Sequence, residues 1–486
     1  MKNKKRIFAG VFIIIFLVGI YNVYKPLPQG VNMEGTLYTV QEKAVTFLAD
    51  RTYVDETEVR HSEQEIFDEV LRMVEQADSY ILIDMFLFND FLGTATTSYR
   101  QLSSELITAL IKKKNEQPNM VIQVITDPLN TIYGGMTESQ FSALEEVGVP
   151  VVYTDLTKLR DSNPLYSAWW RAFLRWVPFG VLGDVLPNAL DARKQDIGID
   201  SYFTLLNFKA NHRKLIVADF KDADGEREMS VLVTSGNPHD GSSAHTNTAV
   251  KVDAKLWRDA VASERGVFAF SDVEFVEVPE VAEEEISEES ALQVQLLTER
   301  AIKKAIISEL STLSAGDTFD MAMFYISDRD VVGAIEEAAQ RGVVIRMILD
   351  PNKDAFGRQK GGVPNRQVAD ELLGASSNIT VRWCDTHGEQ CHTKLLIFNK
   401  GNDTTVIQGS ANMTRRNLNN LNLETDVLVR GGKETEFAKE VQAYFDTTWS
   451  NEEGKQYTTD YKAYEDARFK KVILYRFGEF TGISSY

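Results

Sequence analysis

The chain has 486 residues, of which 43% are hydrophobic, enough for a folded protein with a sizeable core. Lysine and arginine number 52 against 71 aspartate and glutamate residues, so the net charge is −19. A body this acidic repels phosphate polyanions, and a general nucleic-acid binder is therefore disfavoured. The two cysteines, Cys384 and Cys391, form no CxxC pair, which excludes zinc ribbons, ferredoxin-type clusters and disulfide-dense scaffolds.

The chain begins with a basic tip followed by an uncharged segment. Four basic residues lie within residues 2–6, and residues 7–24 carry no charge. At a rise of about 1.5 Å per residue, that segment is about as long as a bilayer core is thick. We therefore expect residues 1–30 to form a cytoplasmic tip and one transmembrane helix, with the body extracytoplasmic at the cell membrane. A cleaved signal peptide is the alternative, although no A-x-A-like site follows the segment.

The body contains an internal repeat. Residues 65–90 and 301–328 both show apolar residues at helical spacing, followed by a short apolar strand that ends in Met-Phe. The strands VIQVITDP and VIRMILDP then follow in the two copies. Helices alternating with continuous apolar strands predict a duplicated α/β fold with buried sheets. The predicted units are a first repeat at 31–277, an acidic linker at 278–292, a second repeat at 293–450 and a C-terminal extension at 451–486.

Each repeat carries one histidine and one lysine two positions apart. The first copy reads NHRKLIVAD, with His212, Lys214 and Asp219. The second reads CHTKLLIFN and contains the corresponding residues His392, Lys394 and Asn399. Side chains alternate along a strand, so the histidine and lysine share one face, while the seventh position after the histidine faces away as a supporting residue. Imidazole and ammonium groups on one face favour chemistry on a phosphate.

A turn of small residues follows each of these strands. It holds Ser235 and Asn237 in the first copy, and Ser410 and Asn412 in the second. Short hydroxyl and amide side chains beside backbone N–H groups suit phosphate oxygens, so we expect these four residues to bind phosphate. The two lysines supply positive charge, and the sequence therefore predicts a site that needs neither a metal nor another cofactor.

These paired motifs resemble the phospholipase D superfamily, defined by two HxKxxxxD motifs that are each followed by a GSxxN-like turn. The resemblance covers about residues 36–450 and is closest to the bacterial cardiolipin synthase-like and phospholipase D-like branch. Two departures are TSGN in place of the first turn and Asn399 in place of aspartate. The resemblance implies an α/β fold built from a duplicated repeat, with two mixed sheets flanked by helices and related by pseudo-twofold symmetry, after one transmembrane helix.

The resemblance also implies a two-step displacement at phosphorus. One histidine forms a covalent phosphohistidine and the other protonates the leaving alcohol, after which water or a second alcohol completes hydrolysis or phosphatidyl transfer. Family members place an orienting carboxylate or amide downstream of each motif, which assigns Glu424 to His392 and Asn247 to His212. Because a nearby carboxylate favours protonated imidazole, we expect His392 to be the general acid and His212 the nucleophile.

An insertion at about 155–205 makes the first repeat much longer than the second. It contains half of the six tryptophans of the chain, namely Trp169, Trp170 and Trp176, together with arginines. Tryptophan and arginine on an amphipathic segment favour the bilayer interface, so we expect these tryptophans to contact the membrane. A helix that covers the core is the alternative.

The sequence thus predicts a membrane-anchored phospholipid phosphodiesterase or phosphatidyltransferase that acts with water or an alcohol and binds no nucleic acid. A nuclease of the same superfamily and a non-catalytic lipid-binding protein are the alternatives, and the oligomeric state stays open. The remaining histidines are expected in structural or loop roles: His61, His239, His245 and His387. Cys384 and Cys391 could form a disulfide if the body is extracytoplasmic, but their spacing does not decide it.

Overall fold

The computed structural model describes residues 2–94, 99–177, 180, 183–222, 225–279, 281, 291–355 and 357–484. Most of the predicted acidic linker, residues 280 and 282–290, lies outside these residues.

The strands, in chain order, are β1 (Tyr38–Gln41), β2 (Val45–Val54), β3 (Arg60–Glu63), β4 (Tyr80–Met85), β5 (Val121–Thr126), β6 (Val151–Tyr153), β7 (Asp184–Leu186), β8 (Ile197–Gly198), β9 (Lys214–Lys221), β10 (Arg227–Thr234), β11 (Asn247–Val252), β12 (Ala291–Thr298), β13 (Thr318–Met323), β14 (Val344–Leu349), β15 (Asp354–Ala355), β16 (Arg358–Gln359), β17 (Ile379–Cys384), β18 (Lys394–Lys400), β19 (Asp403–Gly409), β20 (Thr425–Gly432) and β21 (Thr458–Asp460).

Helices flank the sheets, and one helix lies at the start of the chain. They are α1 (Lys2–Tyr24), α2 (Ile66–Gln76), α3 (Leu102–Glu116), α4 (Ser139–Glu146), α5 (Pro164–Ala172), α6 (Ile199–Leu205), α7 (Trp257–Phe270), α8 (Arg300–Thr312), α9 (Arg329–Gln340), α10 (Asn365–Ala375), α11 (Arg415–Leu418), α12 (Glu436–Ser450) and α13 (Phe469–Thr481). The predicted helix–strand units are present as α2 with β4 and α8 with β13.

The two large sheets share one order of seven consecutive strands and differ at their edges. The first runs in the order β3-β2-β11-β10-β9-β4-β5-β6, and the second in the order β1-β12-β20-β19-β18-β13-β14-β17-β21. In each sheet three strands are parallel (β4-β5-β6 and β13-β14-β17), and the strand that follows the His-x-Lys motif pairs antiparallel with the first of them. The expected duplicated fold with two mixed sheets is therefore confirmed.

One core joins the two sheets. Leu215 and Val217 of β9 belong to the same buried cluster as Leu395 and Ile397 of β18. Side chains also cross between the halves, since Nε2 of Gln408 donates to the carbonyl oxygen of Val233 at 2.8 Å. The two halves pack through the faces of their sheets, which brings the starts of β9 and β18 together.

Two terminal segments lie elsewhere than the predicted boundaries imply. The prediction places β1 in the first repeat, but β1 pairs antiparallel with β12 at the edge of the second sheet. From the C-terminal extension, β21 adds to the other edge of that sheet, and Tyr475 of α13 is buried in the core of the second half. The predicted start of the first repeat at residue 31 is thus wrong for β1. The edge of the second sheet presents unpaired backbone N–H and C=O groups, and β1 forms hydrogen bonds with them.

At the N-terminus, Lys4–Tyr24 of α1 is long and apolar enough to cross a membrane, with a mean hydropathy of 2.3. The predicted insertion contains α5, β7, β8 and α6, and α5 packs against α1, with Gly19 facing Ala168.

Candidate active site

The two His-x-Lys motifs lie where the halves meet. Lys214 and Lys394 are the first residues of β9 and β18, so each histidine precedes its strand by two positions. The backbone N–H of His212 donates to the carbonyl of Leu423 in the second half at 2.9 Å, and that of His392 donates to Thr246 in the first half at 2.9 Å. Each motif is therefore fixed by the opposite half.

The residue behind each imidazole also comes from the opposite half. Nδ1 of His212 lies 2.9 Å from Oε2 of Glu424. Nδ1 of His392 lies 3.2 Å from Oδ1 of Asn247, whose Nδ2 donates to the carbonyl of His245 at 3.0 Å. Because this second bond fixes the amide orientation, Nδ1 of His392 is a donor. Each ring thus turns Nε2 away from its orienting residue.

The predicted pairing of histidines with orienting residues is wrong. Glu424 backs His212 rather than His392, and Asn247 backs His392 rather than His212. The reason is the bridge between the halves, since Leu423 pairs with Asn211 and Thr246 pairs with Cys391. Residues that follow one motif in sequence therefore reach the histidine of the other.

The two lysines are buried without an ion-pair partner in the described part of the chain. Nζ of Lys214 donates to the carbonyl of His212, and Nζ of Lys394 to that of His392, both at 2.6 Å. Each ammonium also lies over a phenylalanine ring, Phe86 at 5.0 Å or Phe324 at 5.1 Å. Burial lowers the pKa of Lys214 to about 7 and lowers the pKa of Lys394, next to Lys214, well below its usual value. Two such ammonium groups favour an anionic ligand.

The charges of the site act on one another across the halves. Burial, with the ammonium groups of Lys214 and Lys394, holds the pKa of His212 well below its usual value. Burial and Lys394 lower the pKa of His392 in the same way. Burial raises the pKa of Glu424 to about 7. Without an anion bound, both imidazoles are therefore neutral near pH 7, and a bound phosphate would restore their basicity.

In the two turns, serine and asparagine have different roles. Ser235 Oγ donates to Oδ1 of Asn247 at 3.1 Å, and Ser410 Oγ donates to Oε2 of Glu424 at 2.5 Å. Their hydroxyl hydrogens are committed to the orienting residues, so the predicted phosphate binding by these serines is corrected to a positioning role. Asn237 accepts from the N–H of Leu87 at 3.2 Å, whereas Oδ1 of the buried Asn412 has no partner among the described residues. Phosphate binding stays a prediction for the two asparagines.

Comparison with known proteins agrees with this geometry. Residues 306–449, which contain the second motif, its turn and Glu424, match the sequence model of the family described as "Cardiolipin synthase, PLD-like domain". The first half repeats the same strand order and the same motif. The second half of the chain is thus a phospholipase D-like domain. A search of curated proteins finds no match.

Three solved structures are similar to this chain to different extents. The phosphatidylserine synthase of Haemophilus influenzae Rd KW20 is similar with a TM-score of 0.57 and 10% identity, over 96% of this chain and 97% of that one. The polyphosphate kinase of Porphyromonas gingivalis gives a TM-score of 0.47 with 14% identity, over 89% of this chain but only 52% of the kinase. Nuc, a phospholipase D family member from Salmonella typhimurium, gives 0.27 with 16% identity, over 35% of this chain and 99% of Nuc.

The seventh position of each superfamily motif is a supporting residue. Asp219 accepts hydrogen bonds from the backbone N–H groups of Ser79 and Tyr80, at the start of β4. Asn399 donates from Nδ2 to Thr318 Oγ1, at the start of β13, at 3.1 Å. Both residues tie the far end of their strand to the neighbouring strand, so asparagine performs the same task as aspartate.

Sequence reasoning missed a buried network behind Glu424. Asn417 donates to Oε1 of Glu424, and Oε1 of Glu299 accepts from the backbone N–H of Glu424 at 3.0 Å. Glu299 also accepts from Arg213 at 2.8 Å, and Arg213 donates to Glu264 at 2.9 Å. Glu299 has a φ of 45°, a conformation that costs about 1–3 kcal/mol in a residue other than glycine. Isolated polar residues of this kind form no periodic pattern from which the network could be predicted. The only indication of it in the sequence is Arg213, which lies within the motif NHRK.

Cys384 and Cys391 form a disulfide that joins the end of β17 to the residue before His392. The N–H of Cys391 also donates to Oδ2 of Asp350 at 2.8 Å. The remaining histidines lie in loop or surface contacts: His61 with Asp55, His239 with Ser242, His245 with Gln390, and His387 with Asp385. Among the described residues no group of three or more His, Cys, Asp or Glu is placed to hold a metal ion.

The tryptophans of the insertion do not share one environment. Trp169 and Trp176 are exposed, by 48% and 69%, whereas Trp170 is only 8% exposed. Trp170 lines a cavity of about 190 Å³ together with Tyr133, Leu156 and Lys209. The predicted membrane contact by Trp170 is therefore wrong, because its side chain lies on the side of α5 that packs against the body of the protein. Contact by Trp169 and Trp176 stays a prediction.

Proposed function

We propose that this chain is a phospholipid phosphodiesterase or phosphatidyltransferase that works through a covalent phosphohistidine. The observation that carries the proposal is the crossed arrangement of two His-Lys pairs, each held by the opposite half. Both lysines are buried and have no ion-pair partner among the described residues. An anion between the two ammonium groups offsets the cost of their burial, and a phosphodiester supplies that anion together with a phosphorus atom for attack.

His212 is the nucleophile. Glu424 holds Nδ1 and leaves the lone pair of Nε2 for phosphorus. As the N–P bond forms, the imidazole gains positive charge, which the carboxylate stabilises. The bond from phosphorus to the leaving alcohol breaks in the same step. The role expected for His212 is kept, but for the opposite reason, since it is the residue backed by the carboxylate.

His392 is the general acid. Its Nδ1 donates to the neutral amide of Asn247, so no carboxylate stabilises its imidazolium, which is therefore the stronger acid of the two. When the phosphodiester is bound, its negative charge favours uptake of a second proton by His392 at Nε2, and this Nε2–H protonates the leaving oxygen. In the second step Nε2 takes the proton from water or an alcohol, whose oxygen attacks phosphorus as the N–P bond breaks, and His212 is regenerated.

The lipid nature of the substrate is supported by the surroundings of the site. The apolar helix α1 packs on α5, and the exposed Trp169 and Trp176 lie in or beside α5. The cavity beside Trp170 is also lined by Lys209, three residues before His212. These features fit a lipid that reaches the site from a bilayer. The disulfide fits an extracytoplasmic body with a cytoplasmic N-terminus.

The test uses purified full-length protein in vesicles of mixed phospholipids with EDTA, with and without added glycerol. Phosphatidic acid as the product identifies a hydrolase, and a phosphatidyl alcohol or cardiolipin identifies a transferase. Lipid labelled with ³²P in its phosphate should label the His392→Ala variant slowly, as seen after a denaturing quench at alkaline pH, because phosphohistidine is labile in acid; His212→Ala should stay unlabelled. The surface variant His61→Ala serves as the matched control and should keep full turnover.

Three outcomes would contradict this proposal. Label retained in His212→Ala and absent in His392→Ala would exchange the two roles. Vesicle binding without turnover would indicate a lipid-binding protein. Cleavage of DNA without turnover of lipid would indicate a nuclease.

A further inference from the structure

The C-terminal helix α13 exposes an apolar face. Its outward side chains are mostly large and accessible, with Phe469 76%, Ile473 52%, Phe477 56% and Phe480 85% exposed. Positions 469, 473, 477 and 480 follow helical spacing and form one stripe. A stripe of this size on a folded protein marks an interaction surface.

The opposite face of α13 is fixed to the body. Tyr475 is fully buried, and its hydroxyl accepts from Arg329 at 2.8 Å. Glu479, the only acidic residue of the helix, is also buried and accepts from Ser327. Because these contacts fix the rotation of the helix, the phenylalanine stripe faces outward rather than into the core.

The charge around the stripe is basic in an acidic protein. Lys470 and Arg476 of α13 are exposed, and Arg468 precedes the helix, while the whole chain carries a net charge of −19. Arg468 pairs with Asp466 and Arg476 with Glu371, whereas Lys470 forms no ion pair with a described residue. The exposed face of α13 itself carries aromatic, aliphatic and basic side chains, and this composition is complementary to an anionic bilayer surface. A soluble acidic partner would not need the apolar stripe.

The end of α13 meets the segments that lead to the membrane. Gly482 lies against the carbonyl of Ser162, which also accepts from Arg415 at 3.2 Å. Next to Ser162, the N–H of Asp161 donates to the carbonyl of Asn22 in α1 at 3.0 Å, and α5 begins at Pro164, two residues after Ser162. The ends of α1 and α13 and the start of α5 therefore converge on residues 161–162.

We propose that α13 is an interfacial helix whose phenylalanine stripe inserts into an anionic phospholipid bilayer beside the anchor α1. Trp169 and Trp176 belong to the first half, so α13 gives the second half of the protein its own membrane contact. Arg416, whose side chain donates to Ser484 after α13, lies in α11, directly after the turn that follows β19. A bound α13 therefore holds the active-site edge toward the lipid. This orienting role rests on the proposed function, whereas the membrane contact does not.

The test places a nitroxide on Phe480→Cys in the full-length protein. Since Cys384 and Cys391 are bonded to each other, the new cysteine is the only free thiol. Val344→Cys is the matched control, because Val344 is 49% exposed and starts β14, at the end of the sheet opposite the active site. Power-saturation EPR then compares accessibility to oxygen and to a water-soluble nickel complex in vesicles of phosphatidylcholine with phosphatidylglycerol.

We expect the label at residue 480 to be accessible to oxygen and shielded from nickel, and the label at 344 to be open to nickel. In vesicles of phosphatidylcholine alone the shielding at 480 should weaken. Equal nickel accessibility at both positions overturns the proposal. Dipolar broadening between labels at 480 also overturns it, because a second copy of the chain would then cover the stripe.

The two proposals fail separately. If the protein turns over lipid but the label at residue 480 is not shielded from nickel, the membrane contact of α13 is contradicted and the proposed enzyme activity is supported. If the label is shielded but no lipid is turned over, the enzyme activity is contradicted and the membrane contact is supported.

Discussion

Glu424 and Asn247 have nearly the same position behind their imidazoles but differ in charge. Replacing Glu424 by Gln keeps the shape and removes the charge that stabilises His212 as it attacks. We expect the rate of phosphoenzyme formation to fall about 100-fold or more, since acid–base groups of this kind contribute about 10²–10⁴-fold. Rapid-quench measurement of labelled protein gives this rate.

Asn247→Ala is the comparison variant for that experiment. It removes an uncharged acceptor from His392, so its effect on phosphoenzyme formation should be smaller than that of Glu424→Gln. If Asn247→Ala slowed phosphoenzyme formation more than Glu424→Gln, His392 rather than His212 would be the nucleophile.

The lysines make the activity depend on pH. A lysine is charged below its pKa, and burial lowers the pKa of Lys214 to about 7. As the pH rises through about 7 the free enzyme loses this ammonium and binds the phosphodiester less well. We therefore expect kcat/KM to fall about tenfold per pH unit on this alkaline limb. A bound anion restores the charged form, so kcat should fall only at higher pH.

Steady-state kinetics on lipid–detergent micelles between pH 5 and 9 separate these two profiles. A kcat/KM that stays constant to pH 9 would mean that the Lys214 ammonium does not contribute to substrate capture.

The His-Lys pairs could be predicted because both members lie two positions apart in one short motif at the start of a strand. Their orienting residues could not be assigned, since His212 and Glu424 are 212 positions apart and His392 and Asn247 are 145 apart. Spacing along the sequence indicates contacts within one repeat only. The bridges at Leu423 and Thr246 connect the two repeats and place each orienting residue behind the histidine of the other repeat. The two serines were read as phosphate ligands because sequence shows a hydroxyl but not where its hydrogen points.

At the scale of elements, the buried network around Arg213 joins four segments. Arg213 precedes β9, Glu264 lies in α7, Glu299 precedes α8, and Arg213 also donates to the carbonyl of Gly30 at 3.3 Å. Replacing Arg213 by Met leaves two buried carboxylates without their cation. We expect the free energy of unfolding to fall by about 3–5 kcal/mol, the usual result of breaking a buried pair. Urea unfolding of the protein in detergent micelles measures the change.

Glu309→Gln is the matched control, because its ion pair with Arg430 is partly exposed. It should cost less than about 1 kcal/mol. Equal losses for the two variants would show that the Arg213 network does not stabilise the fold more than a surface pair does.

Elements with a strong local pattern were predicted, and elements at the edges were not. The apolar residues of α2 and α8 recur at helical spacing, and β4 and β13 are almost wholly buried. By contrast, β1 has four residues and β21 has three, too few to show which sheet they join. The outer face of α13 is apolar, so its pattern does not mark which side packs on the core.

At the scale of the molecule, duplication explains why both halves are needed. Each half supplies one histidine, one lysine and the orienting residue of the other half, so neither half forms a complete site alone. The sequence could predict the duplicated fold, because two copies of a motif repeat in one order. It could not predict the crossed contacts, which arise only when the two sheets pack face to face.

The orientation of the whole molecule in the membrane leads to a last prediction. A basic N-terminal tip favours the cytoplasm, and a disulfide beside the active site favours an oxidising compartment. In intact cells that express the full chain, a membrane-impermeant maleimide should label Val344→Cys but not Asn3→Cys. Permeabilised cells should show labelling of both, and the parent chain should react only after reduction. Labelling of Asn3→Cys alone in intact cells would place the body in the cytoplasm and reverse the proposed topology.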